Sequence, residues 1–295
     1  MDSGYVVVMP GCSSNCIFCA IAKQSFDEPK EVKNRLSKEF ARIREEGKEK
    51  LVISGSDPLD LTNITKIVSM AKEAGFNCIQ IATHGMPLSD KKLSKRIAAA
   101  GPVQFTIPLY GGKAVTHDAV TQVKGSLYKT LKGILNIGEL NRQVMLSSLI
   151  LQQNKDDLIN LVKLIERLPV KNLSINMTYM SSNNADEFYV PQKDLPGVLN
   201  PLVDYILRQR KRMWFQEFPY CVFYPFSKTM FKSGLVEHKT MAYEHIGEKK
   251  TPEELPWFKE KCYAKICDEC KVKPFCDGFF KADIQRFGTG DLRPL

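Results

Sequence analysis

No apolar run in this 295-residue sequence approaches the roughly 18 residues that a membrane-spanning helix needs. The opening stretch, MDSGYVVVMPGCSSNC, has neither a basic leader nor a long apolar core, so it does not read as a secretion signal. Low-complexity linkers and internal repeats are also missing. Histidine is scarce, at four residues, and the first of them is His84. These absences argue against membrane and secreted classes and lead to the expectation of a cytoplasmic chain whose thiols stay reduced. Disulfides then explain the nine cysteines poorly, and metal or redox chemistry explains them better.

What is present is a composition 43% hydrophobic, enough for one substantial core or a large domain with a small appendage. The net charge of +9 is compatible with an acidic partner, and a nucleic-acid partner stays open, although a solvated lysine-rich surface explains it as well. The densest basic run, LRQRKRMW (207–214), reads as a helix end, where cations complement the dipole.

Strand and helix signals alternate over the first 210 residues or so. YVVVMP (5–10), KLVISG (50–55), NCIQIAT (77–83), VQFTIPLYG (103–111), QVMLSSLIL (143–151) and NLSINMTYM (172–180) are β-branched or alternating runs. Between and after them lie helical patterns at 30–47, 61–75, 89–101, 126–140, 155–168 and 198–212, several closed by glycine. Ser89 is the cap candidate of the third helix. Six βα units predict an α/β fold with a parallel sheet and right-handed crossovers, a partial (β/α)6 TIM-like barrel over residues 1–212. After residue 213 the alternation stops, and residues 213–295 predict a small irregular extension that a bound metal would help to fold.

The cysteines fall at the two ends of the chain. Cys12, Cys16 and Cys19 stand in a C-x3-C-x2-C loop directly after the first strand, where barrels of this kind carry functional groups. Three thiolates can hold three irons of a cubic cluster and leave the fourth open. A zinc loop is the alternative, but no neighbouring histidine completes a tetrahedral set. Cys267-x2-Cys270-x5-Cys276 forms the second set, with Cys221 and Cys262 competing to be its fourth member. Cys78 reads as a buried, inert thiol.

The N-terminal motif, with Phe18 just before its last cysteine, resembles that of the radical SAM superfamily. The resemblance implies a [4Fe-4S] cluster on Cys12, Cys16 and Cys19 whose open iron binds S-adenosylmethionine. It also implies reductive cleavage of that cofactor to a 5′-deoxyadenosyl radical, and an external electron donor such as flavodoxin or ferredoxin. ISGSDP (53–58) stands where the family usually has Gly-Gly-Glu-Pro, with Ser56 and Asp57 replacing the second glycine and the glutamate. Phe18, Ser54, Gly55, Ser56, Asp57, Thr83 and Ser147 are the implied cofactor contacts. Ser148 shares the ribose-contact candidacy, and Asn154 is expected to fix the turn after the fifth strand. His84 replaces an asparagine common in relatives and reads either as a neighbour of the adenosyl group or as a solvent-facing turn residue. His117 and Asp118 read as a structural pair or a family motif, and Gly111 and Gly112 as points of close backbone approach.

The C-terminal pattern resembles the SPASM/twitch extension, here short of a full cysteine set. The resemblance implies one auxiliary [4Fe-4S] cluster on Cys221, Cys267, Cys270 and Cys276, with Cys262 as a spare; a Zn(Cys)4 knuckle is the rival. The expected function is hydrogen abstraction from a substrate not readable from sequence, a peptide first (maturase chemistry). Small-molecule or sugar dehydrogenation and nucleotide or cofactor biosynthesis are the alternatives. A non-catalytic zinc or nucleic-acid binding protein is the rival of another class. The first cysteine arrives at position 12, so no leader-capturing module is expected ahead of it.

Overall fold

The computed structural model describes residues 3–19, 29–169, 172–177, 187–209, 213–216, 218–237, 243–245, 248–250 and 261–295. Eight strands pair in strict chain order, every pair parallel: β1 (Ser3–Val8), β2 (Lys50–Gly55), β3 (Cys78–Ala82), β4 (Val103–Pro108), β5 (Val144–Ile150), β6 (Asn172–Met177), β7 (Met213–Gln216) and β8 (Val236–Glu237). Among the described residues β8 does not pair back onto β1, so the barrel stays open on one side. The helices are α1 (Pro29–Glu45), α2 (Ile64–Glu73), α3 (Lys91–Ala100), α4 (Ala114–Thr121), α5 (Ser126–Glu139), α6 (Leu158–Ile165), α7 (Leu195–Gln209), α8 (Ser227–Ser233) and α9 (Lys281–Phe287).

The α/β partial barrel expected from the alternation is present, and the sheet runs two strands further than six units. Four residues of β7 and two of β8 are too short to show a period, and their pairing comes from backbone hydrogen bonding at a sheet edge. The tip of the sixth strand signal (178–180) and the basic residues 210–212 lie outside the described residues.

Strand alternation sorts the side chains. Val6, Val8, Leu51, Ile53, Ile79, Ile81, Phe105, Ile107, Leu146 and Ile150 join one buried core with helix residues such as Leu36, Phe40, Ile67 and Ile134. Each such side chain contributes roughly 1.5–3 kcal/mol when fully buried. The opposite face lines the barrel interior and is partly polar: Gln80 donates to Thr106 Oγ1 at 2.7 Å, and Gln104 donates to Gln80 Oε1 at 3.1 Å. Cys78 lies on this face and is half-buried, so the buried site expected for it is corrected by the register of β3. A 3-10 turn over Met86–Ser89 absorbs Ser89, and the cap of α3 shifts to Asp90, which accepts the Lys92 N–H at 2.8 Å.

The tail is tied to the barrel. Buried Asp283 accepts the Tyr189 hydroxyl at 2.5 Å and the Gln192 N–H at 2.9 Å, and Gln192 Oε1 accepts the Phe280 N–H at 3.0 Å. Two short antiparallel ribbons complete the described chain, β9 (Tyr243–His245) with β10 (Glu248–Lys250) and β11 (Lys261–Cys262) with β12 (Phe279–Phe280).

Candidate active site

Parallel strands end on one side of the sheet, so the loops after β1, β2, β3, β4 and β5 meet there. The cysteine loop leaves β1 and is hung on the end of α4. Asn15 and Ile17 donate their N–H groups to Thr121 O and Val120 O, both at 3.0 Å, and Cys19 N–H closes a turn onto Cys16 O at 3.0 Å. Cys16 and Phe18 pack with Tyr110, Val120, Leu151 and Phe188 in a small apolar cluster. The Phe18 and Tyr110 rings meet edge to face at 5.5 Å. Burial pushes the Cys16 thiol up, and a metal bound to the thiolate would offset that cost. The Ser14 hydroxyl lies 3.3 Å from its sulfur.

The loop after β2 is fixed by close approach. Gly55 has φ +131°, and a Cβ there would stand 1.8 Å from Val8 O. Ser56 donates its N–H to the same carbonyl at 3.1 Å, while its buried Oγ has no protein partner. Asp57 is fully buried and turned inward. Its carboxylate accepts Leu59 N–H at 2.8 Å, Thr83 Oγ1–H at 2.8 Å and His84 N–H at 2.9 Å, with His84 Nε2 at 3.0 Å. Asp57 and Thr83 thus spend their polar atoms on holding the β2 and β3 loops together. The carboxylate that faces the cysteine loop is Asp60, which accepts both Ser13 N–H at 2.8 Å and Ser13 Oγ–H at 3.1 Å.

His84 joins the three loops. Its side chain is only 8% exposed, so it is not the solvent-facing turn residue that one reading of the sequence allowed. Its Nε2 lies 3.0 Å from Ser13 Oγ, and its Nδ1 accepts Met86 N–H at 3.2 Å. Burial lowers its proton affinity, but hydrogen bonds with Asp57, Asp60 and Cys12 outweigh that and carry the pKa up to about 12. Cys12 Sγ, an Asp60 oxygen and a His84 nitrogen all lie within 4.8 Å of one another.

The remaining sequence candidates divide. Ser54 ends β2 and Ser147 shares its strand face with Leu149, which packs on the apolar cluster beside Cys16. Ser148 sits on the opposite face, between core residues Leu146 and Ile150, and is buried away from the loops. Asn154 fixes the turn after β5 as expected, accepting Leu151 N–H and donating to Leu149 O, both at 2.8 Å. His117 and Asp118 are structural. His117 is buried and accepts Tyr110 N–H at 3.1 Å; Asp118 accepts Gly125 N–H, Ser126 Oγ–H and Leu127 N–H, which starts α5. Gly112 packs against the backbone of α6, where a Cβ would meet Asn160 C at 2.2 Å. Ser13, Asp60 and Tyr110 escaped the sequence reading. The only signal for Asp60 was its place three residues after Asp57.

In the tail, Cys221, Cys267, Cys270 and Cys276 line one small hollow with Pro219, Tyr220, Tyr263, Val272 and Phe279. Cys262 does not line it; its charged neighbours are Lys281, Lys261 and Asp283. Burial and the other three thiols hold the Cys221 thiol well above the usual range, an environment that favours a bound metal over free thiolates. No described helix is long and apolar enough to cross a membrane.

Comparison with known proteins agrees with this geometry. The chain is similar to the AdoMet-dependent heme synthase of Methanosarcina barkeri (strain Fusaro / DSM 804), 26% identical over 159 residues that cover 54% of this chain and 45% of that protein. A second heme synthase, from Nitratidesulfovibrio vulgaris, is 21% identical over 118 residues, 40% of this chain and 32% of the relative. The chain thus spans less than half the length of the curated relatives it matches. In structure it resembles anSMEcpe with bound AdoMet and Cp18Cys peptide, at TM-score 0.66 and 13% identity over 94% of this chain and 88% of that one. It also resembles Streptococcus suis SuiB bound to S-adenosylmethionine, at TM-score 0.61 and 14% identity over 99% of this chain and 76% of that one. The family description "Radical SAM superfamily" matches residues 6–165, from β1 through α6, and the chain belongs to that superfamily, whose chemistry rests on a [4Fe-4S] cluster and S-adenosylmethionine.

Proposed function

We propose that this chain is a radical SAM enzyme of the maturase type, which abstracts a hydrogen atom from a peptide segment. The observation that carries this reading is the presence of two separate thiol sets. Cys12, Cys16 and Cys19 stand on the loop after β1, and Cys221, Cys267, Cys270 and Cys276 surround one apolar hollow in residues 213–295. Cys12, Cys16 and Cys19 would hold a [4Fe-4S] cluster, which when bound would supply the electron for reductive cleavage of S-adenosylmethionine. Phe18 and Tyr110 close an apolar wall beside Cys16 and keep water from that side. Ser54, Ser56 and Ser147 are the residues we assign to contact the cofactor, and glycine at position 55 lets the β2 loop lie close against Val8 of β1. Asp57 and Thr83 hold that loop in place from within. Cys221, Cys267, Cys270 and Cys276 would hold an auxiliary cluster through four thiolates, and a cluster so held would be suited to carry an electron.

A peptide substrate is supported by the open side of the sheet and by the likeness to SuiB bound to its precursor peptide SuiA and to anSMEcpe with bound Cp18Cys peptide. A second reading, chemistry on a tetrapyrrole side chain, is favoured by the names of the curated relatives. The test is 5′-deoxyadenosine release under strictly anaerobic reduction, with a short synthetic peptide or a haem-precursor tetrapyrrole added. Stimulation by peptide supports the maturase reading, and stimulation by the tetrapyrrole alone replaces it. No 5′-deoxyadenosine under any condition would sink the enzyme reading.

A further inference from the structure

The convergence of Cys12, Asp60 and His84 within 4.8 Å has the look of a mononuclear metal site. The histidine's own contacts decide against it. A metal at Nε2 needs that nitrogen's lone pair, and the other ring nitrogen then carries the proton and donates it. Here Nε2 is the nitrogen turned to acceptors, while Nδ1 lies 3.2 Å from the Met86 N, so Nε2 keeps its proton whether the ring is neutral or charged. Nε2 lies 3.0 Å from Asp57 Oδ2, 3.0 Å from Ser13 Oγ and 3.8 Å from Asp60 Oδ2, and a ring nitrogen and the Cys12 sulfur lie within 4.8 Å of each other. It is therefore a donor aimed at the cysteine loop. The backbone under the ring is held as well, because Asp57 takes the His84 backbone N–H at 2.9 Å and Thr130 Oγ1 donates to the His84 carbonyl at 3.0 Å.

We propose that His84 is a positioning residue for Cys12, donating its Nε2–H to the thiolate sulfur and raising the reduction potential of the cluster that Cys12, Cys16 and Cys19 hold. The inference rests on the radical SAM reading. Its physical reason is that a hydrogen bond to a ligating sulfur withdraws negative charge and so favours the reduced, more negative cluster. Asp57 acts through His84 by fixing the ring, and Ser13 competes for the same proton.

The test compares His84→Ala, His84→Gln and His84→Asn with wild type, each reconstituted and assayed first for iron and sulfide. The midpoint potential is then read from the EPR signal that changes on adding S-adenosylmethionine. Glutamine carries an N–H where histidine has Nε2, whereas asparagine replaces only the Nδ1 side. The expected result is a lower potential in H84A and H84N, with a one-electron reduction constant about tenfold smaller, which is 59 mV. H84Q is expected to return most of that shift. If H84A loses iron, the glutamine–asparagine pair still decides. Recovery by asparagine and not by glutamine, or a cluster with unmoved potential in H84A, overturns this inference alone. Wild type without iron and sulfide overturns the cluster reading itself, and this inference with it.

Discussion

The two cysteine regions of this chain solve opposite problems with the same residue. At the N-terminal end three thiols sit on a loop whose neighbours are polar and interlocked: Ser13, Asp57, Asp60 and His84, drawn from the loops after three successive strands. In the tail four thiols surround a hollow whose other walls are largely apolar and aromatic. On the proposed reading, three ligands and a polar rim would leave a position open beside groups that can orient a charged cofactor, whereas four ligands in an apolar shell would close the coordination. The difference teaches that the same residue meets two environments, one polar and one in which burial raises the cost of a bare thiolate.

The sharpest break of this comparison is a triple substitution. Cys12/Cys16/Cys19→Ala is expected to abolish 5′-deoxyadenosine formation and to lower iron from roughly 8 to roughly 4 per chain, two cubic clusters becoming one. Cys221→Ser is expected to lower the iron by a similar amount while S-adenosylmethionine still perturbs the remaining EPR signal. Anaerobic iron, sulfide and zinc analysis checks both, and zinc in the tail would make that site a knuckle instead.

Next in size is Asp57→Ala. It leaves the Leu59 N–H, the Thr83 hydroxyl and the His84 N–H without their acceptor in a fully buried place. At roughly 1–3 kcal/mol for each orphaned group, a loss of several kcal/mol in denaturant unfolding is expected. Nothing comparable is expected from removing a wall residue of the tail hollow such as Tyr263, which is 49% exposed.

Acid should separate the two regions. His117 lies under the floor of the N-terminal loop, and burial pushes its pKa from 6.5 down to about 4. A histidine held neutral by the fold adds stability above its unfolded pKa near 6.5, and that stability fades as the pH falls toward 4. The span is about 2.5 pKa units, or roughly 3 kcal/mol at 1.36 kcal/mol per unit. His117→Asn keeps an acceptor for the Tyr110 N–H and should flatten that part of the stability–pH curve. Asp283, the tail's tie to Tyr189 and Gln192, has the opposite sign. Burial raises its pKa, so its contribution is complete in acid and declines as the pH rises through the folded value. A chain in which both regions loosen together between pH 6.5 and 4 would count against this division.

The smallest expected effect is that of Cys262→Ser. Cys262 stands off the hollow, beside Lys261 and Lys281, so iron content should not change while Cys221→Ser lowers it. Equal losses in the two variants would show that the ligand can exchange.

The parts most legible in the sequence were those with a local code. The βα alternation, the C-x3-C-x2-C loop and the C-x2-C-x5-C set follow from hydrophobic period and short spacing, and both neighbours of each signal are close in the chain. Ser89 as a helix cap failed by one residue because a 3-10 turn consumed it. A strand just ahead of Cys221 was legible and is β7, but its place in the barrel sheet was not, and β8 escaped because two residues are too few to show a period. Asp60 and Ser13 escaped because 47 positions of chain separate them and nothing local marks either as half of a pair.

By itself, then, the sequence determined the class of the chain, the order of its strands and which thiols belong to which end. Those depend on periodicity and on ligands a few residues apart, and they survive without knowledge of distance. Tertiary structure alone decided two things: that Asp57 turns inward while Asp60 faces the loop, and that Ser147 and not Ser148 lies on the interior face. Each is a choice between near-identical neighbours in composition. Such choices are settled by strand register and by the turn of a 3-10 segment, both of which exist only once distant parts of the chain have packed together.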